Sequence, residues 1–158
     1  MHEAGRSRLK IDDDVDRVLP GHTLGAEYLD GDKMPIDATS PYDEGNIFAR
    51  ILRGELPCKK VFEDEYALAF HDINPQAPDH ILVIPKGAYV SWDDFSERGG
   101  EAEIAGFVRA VGKVAREAGL VAPGYRLLAN VGVNGHQEVP HLHVHIFGGR
   151  PLGAMLAR

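Results

Sequence analysis

The sequence predicts an α+β domain, an antiparallel sheet of about five strands backed by one long helix and preceded by a short one. Three observations predict it. Apolar residues recur at helical spacing in two stretches, a short one from Ile47 and a long one from Ile104. The other apolar runs are of strand length and end at turn residues. The resulting order is helix, three strands, helix, two strands, which does not alternate as a parallel βαβ sheet requires.

The first helix lies in NIFARILRGE, where Asn46 is the N-cap, Ile47, Phe48, Ile51 and Leu52 form the apolar side, and Gly54 is the stop. KKVFEDEYALAFHDI holds two strands joined tightly near Glu63–Glu65. NPQAP breaks the chain before a third strand, HILVIPK, which ends ahead of Lys86. Residues 101–118 place Ile104, Phe107, Val108, Val111, Val114 and Ala115 on one helical stripe, and Gly119 ends the helix. YRLLANVGV is the fourth strand and HLHVHIF the fifth.

A chain of 158 residues is long enough for one domain with a full core. Its charge is uneven. Residues 1–46 hold 11 of the 24 acidic residues but only 5 of the 17 basic ones, with few large apolar side chains. Residues 1–42 therefore read as an acidic extension, flexible or loosely draped, and 43–158 as the globular domain. Met34, just ahead of that domain, offers an internal start. The net charge of −7 argues against a surface that binds nucleic-acid backbones. Cys58 is the only cysteine, which excludes an internal disulfide and a cysteine-rich zinc module and fits a reducing compartment. With no apolar run of membrane length and no leader-like start, the expected location is the cytoplasm.

The chemistry concentrates in HLHVHIFGGR, residues 141–150. In an extended segment His141, His143 and His145 share one face, about 6.5 Å apart, while Leu142, Val144 and Ile146 face a core. Burying that row demands partners for the ring nitrogens, which an ordinary core rarely supplies. Two chemistries suit it. The imidazoles could share a zinc ion, with His80 as a further ligand and an open position for water, although only Asp72 and Glu138 stand by as supporting carboxylates. Alternatively, a neutral histidine attacks phosphorus without a base, a second imidazole holds phosphate oxygens and protonates the leaving group, and a third group fixes the tautomer of the first. Upstream, NVGVNGHQEVP supplies Asn130, Gly132, Gly135 and Gln137, a loop able to aim amide donors at an anion.

HLHVHIF fits the pattern His-φ-His-φ-His-φ-φ, with φ apolar, of the histidine triad superfamily. Together with NIFARILRGELPCKKVFEDEYALAFHDINPQAPDHILVIPK and GYRLLANVGVNGHQEVPHLHVHIFGGR, about residues 44–152 resemble its Hint-like, purine nucleoside phosphoramidase branch. The resemblance implies the HIT-like fold and a homodimer whose sheet continues across the long helix and fourth strand. It implies a hydrolase of nucleoside 5′-phosphoramidates, adenylyl-amines and aminoacyl-adenylates that needs no metal and no cofactor. His143 would be the nucleophile, forming a nucleotidyl-histidine released by water. His145 would contact the α-phosphate and assist proton transfer to the leaving amine, His141 would support the row, and His80 would join the proton network.

The same resemblance implies a pocket for a purine nucleotide or nucleotidyl-amine. Ile47, Phe48, Ile51, Phe70, His71, Ile73, Leu82 and Val139 would surround the nucleoside, and Asp72 would accept from the ribose hydroxyls. Asn130, Gln137 and the backbone after Gly135 would meet the phosphate. On spacing alone the apolar members read as core. Many relatives carry serine where Glu138 stands and glycine where His136 stands. Glu138 is expected to point outward, since a carboxylate repels phosphate, and Gln137 to replace the serine contact. Within the superfamily a dinucleoside polyphosphate hydrolase is the alternative. A DNA-adenylate repair enzyme would need a basic surface that this chain lacks. A non-catalytic nucleotide-binding partner protein and a zinc hydrolase complete the set.

Overall fold

The computed structural model describes residues 36–155, so Met34 and most of the acidic extension lie outside the described residues. Helix α1 spans Ile47–Leu52. Asn46 Oδ1 accepts from the N–H groups of Phe48 and Ala49 at 3.0 and 2.9 Å, satisfying two donors that a helix start leaves open. Strands β1 (Lys60–Glu63), β2 (Ala67–His71) and β3 (Asp79–Pro85) follow as an antiparallel meander. Asp64 closes the first turn, its Oδ1 accepting from the N–H groups of Tyr66 and Ala67 at 2.8 and 2.9 Å.

After β3 the chain forms α2 (Trp92–Arg98) and α3 (Glu101–Glu117), then β4 (Arg126–Leu128) and β5 (Val144–Gly148). The sheet order is β1-β2-β3-β5-β4, with every pairing antiparallel. The expected α+β class and five-stranded antiparallel sheet are what the molecule has. Helix α2 is an addition that the sequence reading lacks, because Phe95 is its only buried residue and no apolar stripe marks it. Its signal is capping: Ser91 accepts from the Asp94 N–H, and Asp93 and Asp94 occupy the first turn. Among the described residues no helix is long and apolar enough to cross a membrane.

Two strands are shorter than expected. Strand β4 stops at Leu128, and β5 begins only at Val144, so of the three histidines His145 alone lies in the ladder. The Leu142 N–H instead donates to the Tyr89 carbonyl at 2.7 Å. The alternation of faces nevertheless persists through residues 141–146. Leu142, Val144 and Ile146 join Ile81, Val83, Ala67 and Ala69 in a core covered by Phe107, Ala110, Val111, Val114 and Ala115 of α3. Val108, expected on that stripe, is exposed. Gly106 lets α3 approach the sheet, since a Cβ there would fall 2.2 Å from the Tyr66 ring.

The opposite face carries a smaller apolar cluster of Phe48, Leu68, Phe70, Leu82, Ile84 and Val139 under α1. On this face His80 of β3 and His145 of β5 come together. Residues 36–42, expected as the end of the extension, run beside the domain. A Cβ on Gly132 would lie 3.7 Å from that of Ala38, and Tyr42 reaches His141.

Candidate active site

The histidine row is buried at its start and partly open at its end. His141 is fully enclosed, His143 is 5% exposed and His145 is half-buried. The partners that the buried rings require are present, and each fixes a tautomer. The Pro85 carbonyl can only accept, so His141 Nε2 carries hydrogen and donates to it at 3.0 Å. His141 Nδ1 therefore accepts from the Tyr42 hydroxyl. The His141 carbonyl in turn accepts from His143 Nδ1–H at 2.7 Å, which leaves the lone pair of His143 on Nε2.

A second chain of bonds runs through His80. The Gln76 N–H donates to His80 Nδ1 at 3.2 Å, so His80 carries its hydrogen on Nε2 and donates to His145 Nδ1 at 2.8 Å. His145 then holds its hydrogen on Nε2. That atom is buried and has no partner among the described residues. The two chains meet where the His143 and His145 ring centroids lie 5.1 Å apart. One ring there offers a lone pair and its neighbour offers a proton.

Electrostatics keep the rings neutral. Burial holds His141 down to about 4, with the Pro85 hydrogen bond opposing it. Burial, reinforced by His143 and His80, pushes His145 down to about 3. Burial also lowers His143, against the His141 carbonyl and the charges of Glu138 and Asp72, and lowers His80, against Asp72. A neutral imidazole with a free lone pair is the nucleophilic form.

A groove beside the row is lined by Ile47, Phe48, Ile51, Phe70, His71, Asp72, Ile73 and Leu82, the expected nucleoside wall except for Val139. Val139 packs in the adjoining apolar cluster with Phe48 and Leu82. Phe48 joins groove to row, its ring edge-on to His143 at 5.2 Å. Asp72 does the same from the other side, with Oδ2 3.5 Å from His80 Nε2 while Oδ1 accepts from the Asn74 N–H at 2.7 Å. Leu56, Pro57, Cys58 and Lys59 also line the groove. Sequence reasoning missed them because the segment between α1 and β1 has no periodicity.

The family model described as HIT domain matches residues 53–152. The chain belongs to the HIT family. A HIT-like protein of Azospirillum brasilense is 70% identical over 117 residues, 74% of this chain and 96% of that one. A purine nucleoside phosphoramidase of Escherichia coli K12 is 43% identical over 114 residues, 72% of this chain and 95% of that one. A solved HIT family hydrolase from Legionella pneumophila superposes with a TM-score of 0.63 at 43% identity, covering 68% of this chain and 95% of its own.

In this HIT protein several polar groups of the loop before the row are bonded to backbone. Gln137 is buried, and its amide is spent on backbone: Nε2 donates to the carbonyls of Val90 and Val139 at 2.7 and 2.9 Å, and Oε1 accepts from the Gly132 N–H at 3.0 Å. The N–H groups of His136 and Gln137 close onto the carbonyls of Val133 and Gly132. Gln137 is thus a brace of the loop, not a free donor to phosphate. His136 has φ +55°, the left-handed region where glycine is the easy residue. Glu138 points outward as expected, with Oε1 3.4 Å from His136 Nε2. Asn130 is half-buried at the loop's entry.

The row does not present three converging lone pairs to a metal. Both His141 nitrogens and His143 Nδ1 are engaged. Donor atoms of Asp72, His80 and His145 do lie within 4.8 Å of one another. There, however, His80 Nε2 and His145 Nδ1 hydrogen-bond to each other at 2.8 Å.

Proposed function

We propose that this protein hydrolyses nucleoside 5′-phosphoramidates and related nucleotidyl conjugates through a nucleotidyl-His143 intermediate, without a metal. The observation that carries the proposal is the opposed pair of tautomers: a lone pair on His143 Nε2 beside a buried, unpartnered N–H on His145 Nε2. The nucleoside occupies the groove, with its base and sugar against Phe48, Ile51, Phe70 and Leu82 and its ribose hydroxyls on Asp72. His143 Nε2 attacks the α-phosphorus while the neutral His145 donates its Nε2–H as a hydrogen bond to the leaving nitrogen, and the P–N bond breaks as that nitrogen takes a proton from solvent. His80 Nε2–H supports His145 from behind. The nucleotidylated ring of His143 carries a positive charge. In the second half, water attacks phosphorus and releases its proton to solvent. The lone pair of His143 is restored and the nucleoside monophosphate departs.

The relative named a purine nucleoside phosphoramidase supports a purine and an amine leaving group. The active form is proposed as a homodimer in the cytoplasm. Strand β4 is an edge of the sheet, and its Leu127 and Leu128 stay exposed, an apolar margin that a second copy would cover; Val108 on α3 is exposed as well. The test is His143→Ala assayed on an adenosine 5′-phosphoramidate. Turnover should fall by about 10⁴-fold while AMP still binds. Turnover at the wild-type rate would remove the mechanism.

A further inference from the structure

The geometry points to Tyr42 as a positioning residue of the histidine row, contributed by a segment that precedes both α1 and the span matched by the family model. The inference rests on the proposed role of His143 as nucleophile. Tyr42 lies 99 residues from His141 in sequence, yet its hydroxyl meets His141 Nδ1, and the two rings stand edge to face with centroids 5.5 Å apart. His141 is thereby held at both ring nitrogens, by a donor at Nδ1 and an acceptor, the Pro85 carbonyl, at Nε2. A ring pinned at both ends cannot flip without leaving a buried nitrogen unpaired.

The consequence for chemistry passes through the backbone. The His141 carbonyl is the acceptor that keeps hydrogen on His143 Nδ1 and the lone pair on Nε2. Anything that lets His141 rotate or shift loosens the one bond that sets the nucleophile's tautomer and aim. Burial raises the Tyr42 hydroxyl above its ordinary range, so it stays protonated and serves as a donor. Tyr42 is not among the residues that line the groove, and its hydroxyl is bonded to His141. The mechanism of the row is therefore completed from the N-terminal side of the domain.

Tyr42→Phe isolates the hydroxyl, because the ring packing against His141 remains. In the full-length protein, kcat on the adenosine phosphoramidate should fall about 5- to 30-fold, with KM and AMP affinity within about twofold of wild type; this range follows from losing one buried hydrogen bond. Two-dimensional nitrogen-15 spectra of the imidazoles, recorded without substrate, should show the His141 Nδ1 signal move toward a free lone pair. The same spectra should show His143 changing from one tautomer to a mixture. Tyr42→Ala should extend both effects. Unchanged kcat together with unchanged imidazole spectra in Tyr42→Phe overturns the inference, as does loss of AMP binding in parallel with kcat. Because the spectra need no substrate, they separate this inference from the proposed reaction. Failure of His143→Ala to abolish turnover would overturn the reaction, whatever the spectra of Tyr42→Phe show.

Discussion

The two faces of the sheet are built from the same strands and put to different uses. Toward α3, Ile81, Val83, Val144 and Ile146 meet Phe107 and Val111 in a core made of hydrocarbon. Toward α1, the alternate positions bring His80 and His145 beside Leu82 and Phe147, with His141 and His143 enclosed next to them. The first face is stable because apolar area leaves water, and any well-fitting side chain would serve. The second is stable only because nearly every buried ring nitrogen has a specific partner. Strand alternation thus separates the part of this molecule that holds it together from the part that carries the histidines.

The largest expected effect breaks the helix-side face. Phe107→Ala should cost about 3–5 kcal/mol in urea unfolding, since Phe107 is fully enclosed, yet the folded fraction should keep its kcat. A fall in kcat comparable to that of His143→Ala would show that the faces are not separable. A smaller effect belongs to the histidine face alone. His141 and His145 are depressed to about 4 and about 3, and burial lowers His143 and His80 as well. Below the ordinary histidine range of about 6.5 the unfolded chain therefore binds more protons than the folded one, so stability present above that pH is lost as pH falls toward 4 and then 3. Unfolding free energies that stay flat between pH 7 and 4.5 would contradict the burial of these rings as neutral groups. The smallest effect tests the brace behind the row. Gln137→Ala removes three hydrogen bonds to backbone and should cost about 1–3 kcal/mol, with kcat falling more than nucleoside affinity. A change in nucleoside affinity alone would return Gln137 to the ligand-contacting role expected from sequence.

The helix-side face was legible in the sequence because it is periodic. The stripe of α3, the cap and stop of α1 and the apolar strands β2 and β3 are each written within a few neighbouring residues. The row was legible as a pattern, since alternate histidines fall on one face whether or not the ladder reaches them. What the pattern overstated was the strand. His141 and His143 precede β5, and Leu142 bonds to Tyr89 and not to a neighbouring strand. Val108 matched the helical stripe yet lies at its margin and is exposed. Roles that depend on distant partners left no local signal. Tyr42 meets His141 across 99 residues, and the amide of Gln137 turns toward Val90, 47 residues away, where the composition of its loop implied an outward donor.

The hydrogen on His145 Nε2 has already been stripped of water when the chain folds. Folding has met that dehydration cost in advance, so a ligand oxygen or nitrogen that accepts this bond is spared it on arrival. Occupancy of the groove by such a ligand should consequently tighten the native state beyond what its apolar contacts alone confer. An uncharged nucleoside lacking a phosphoryl group should shift the melting temperature far less.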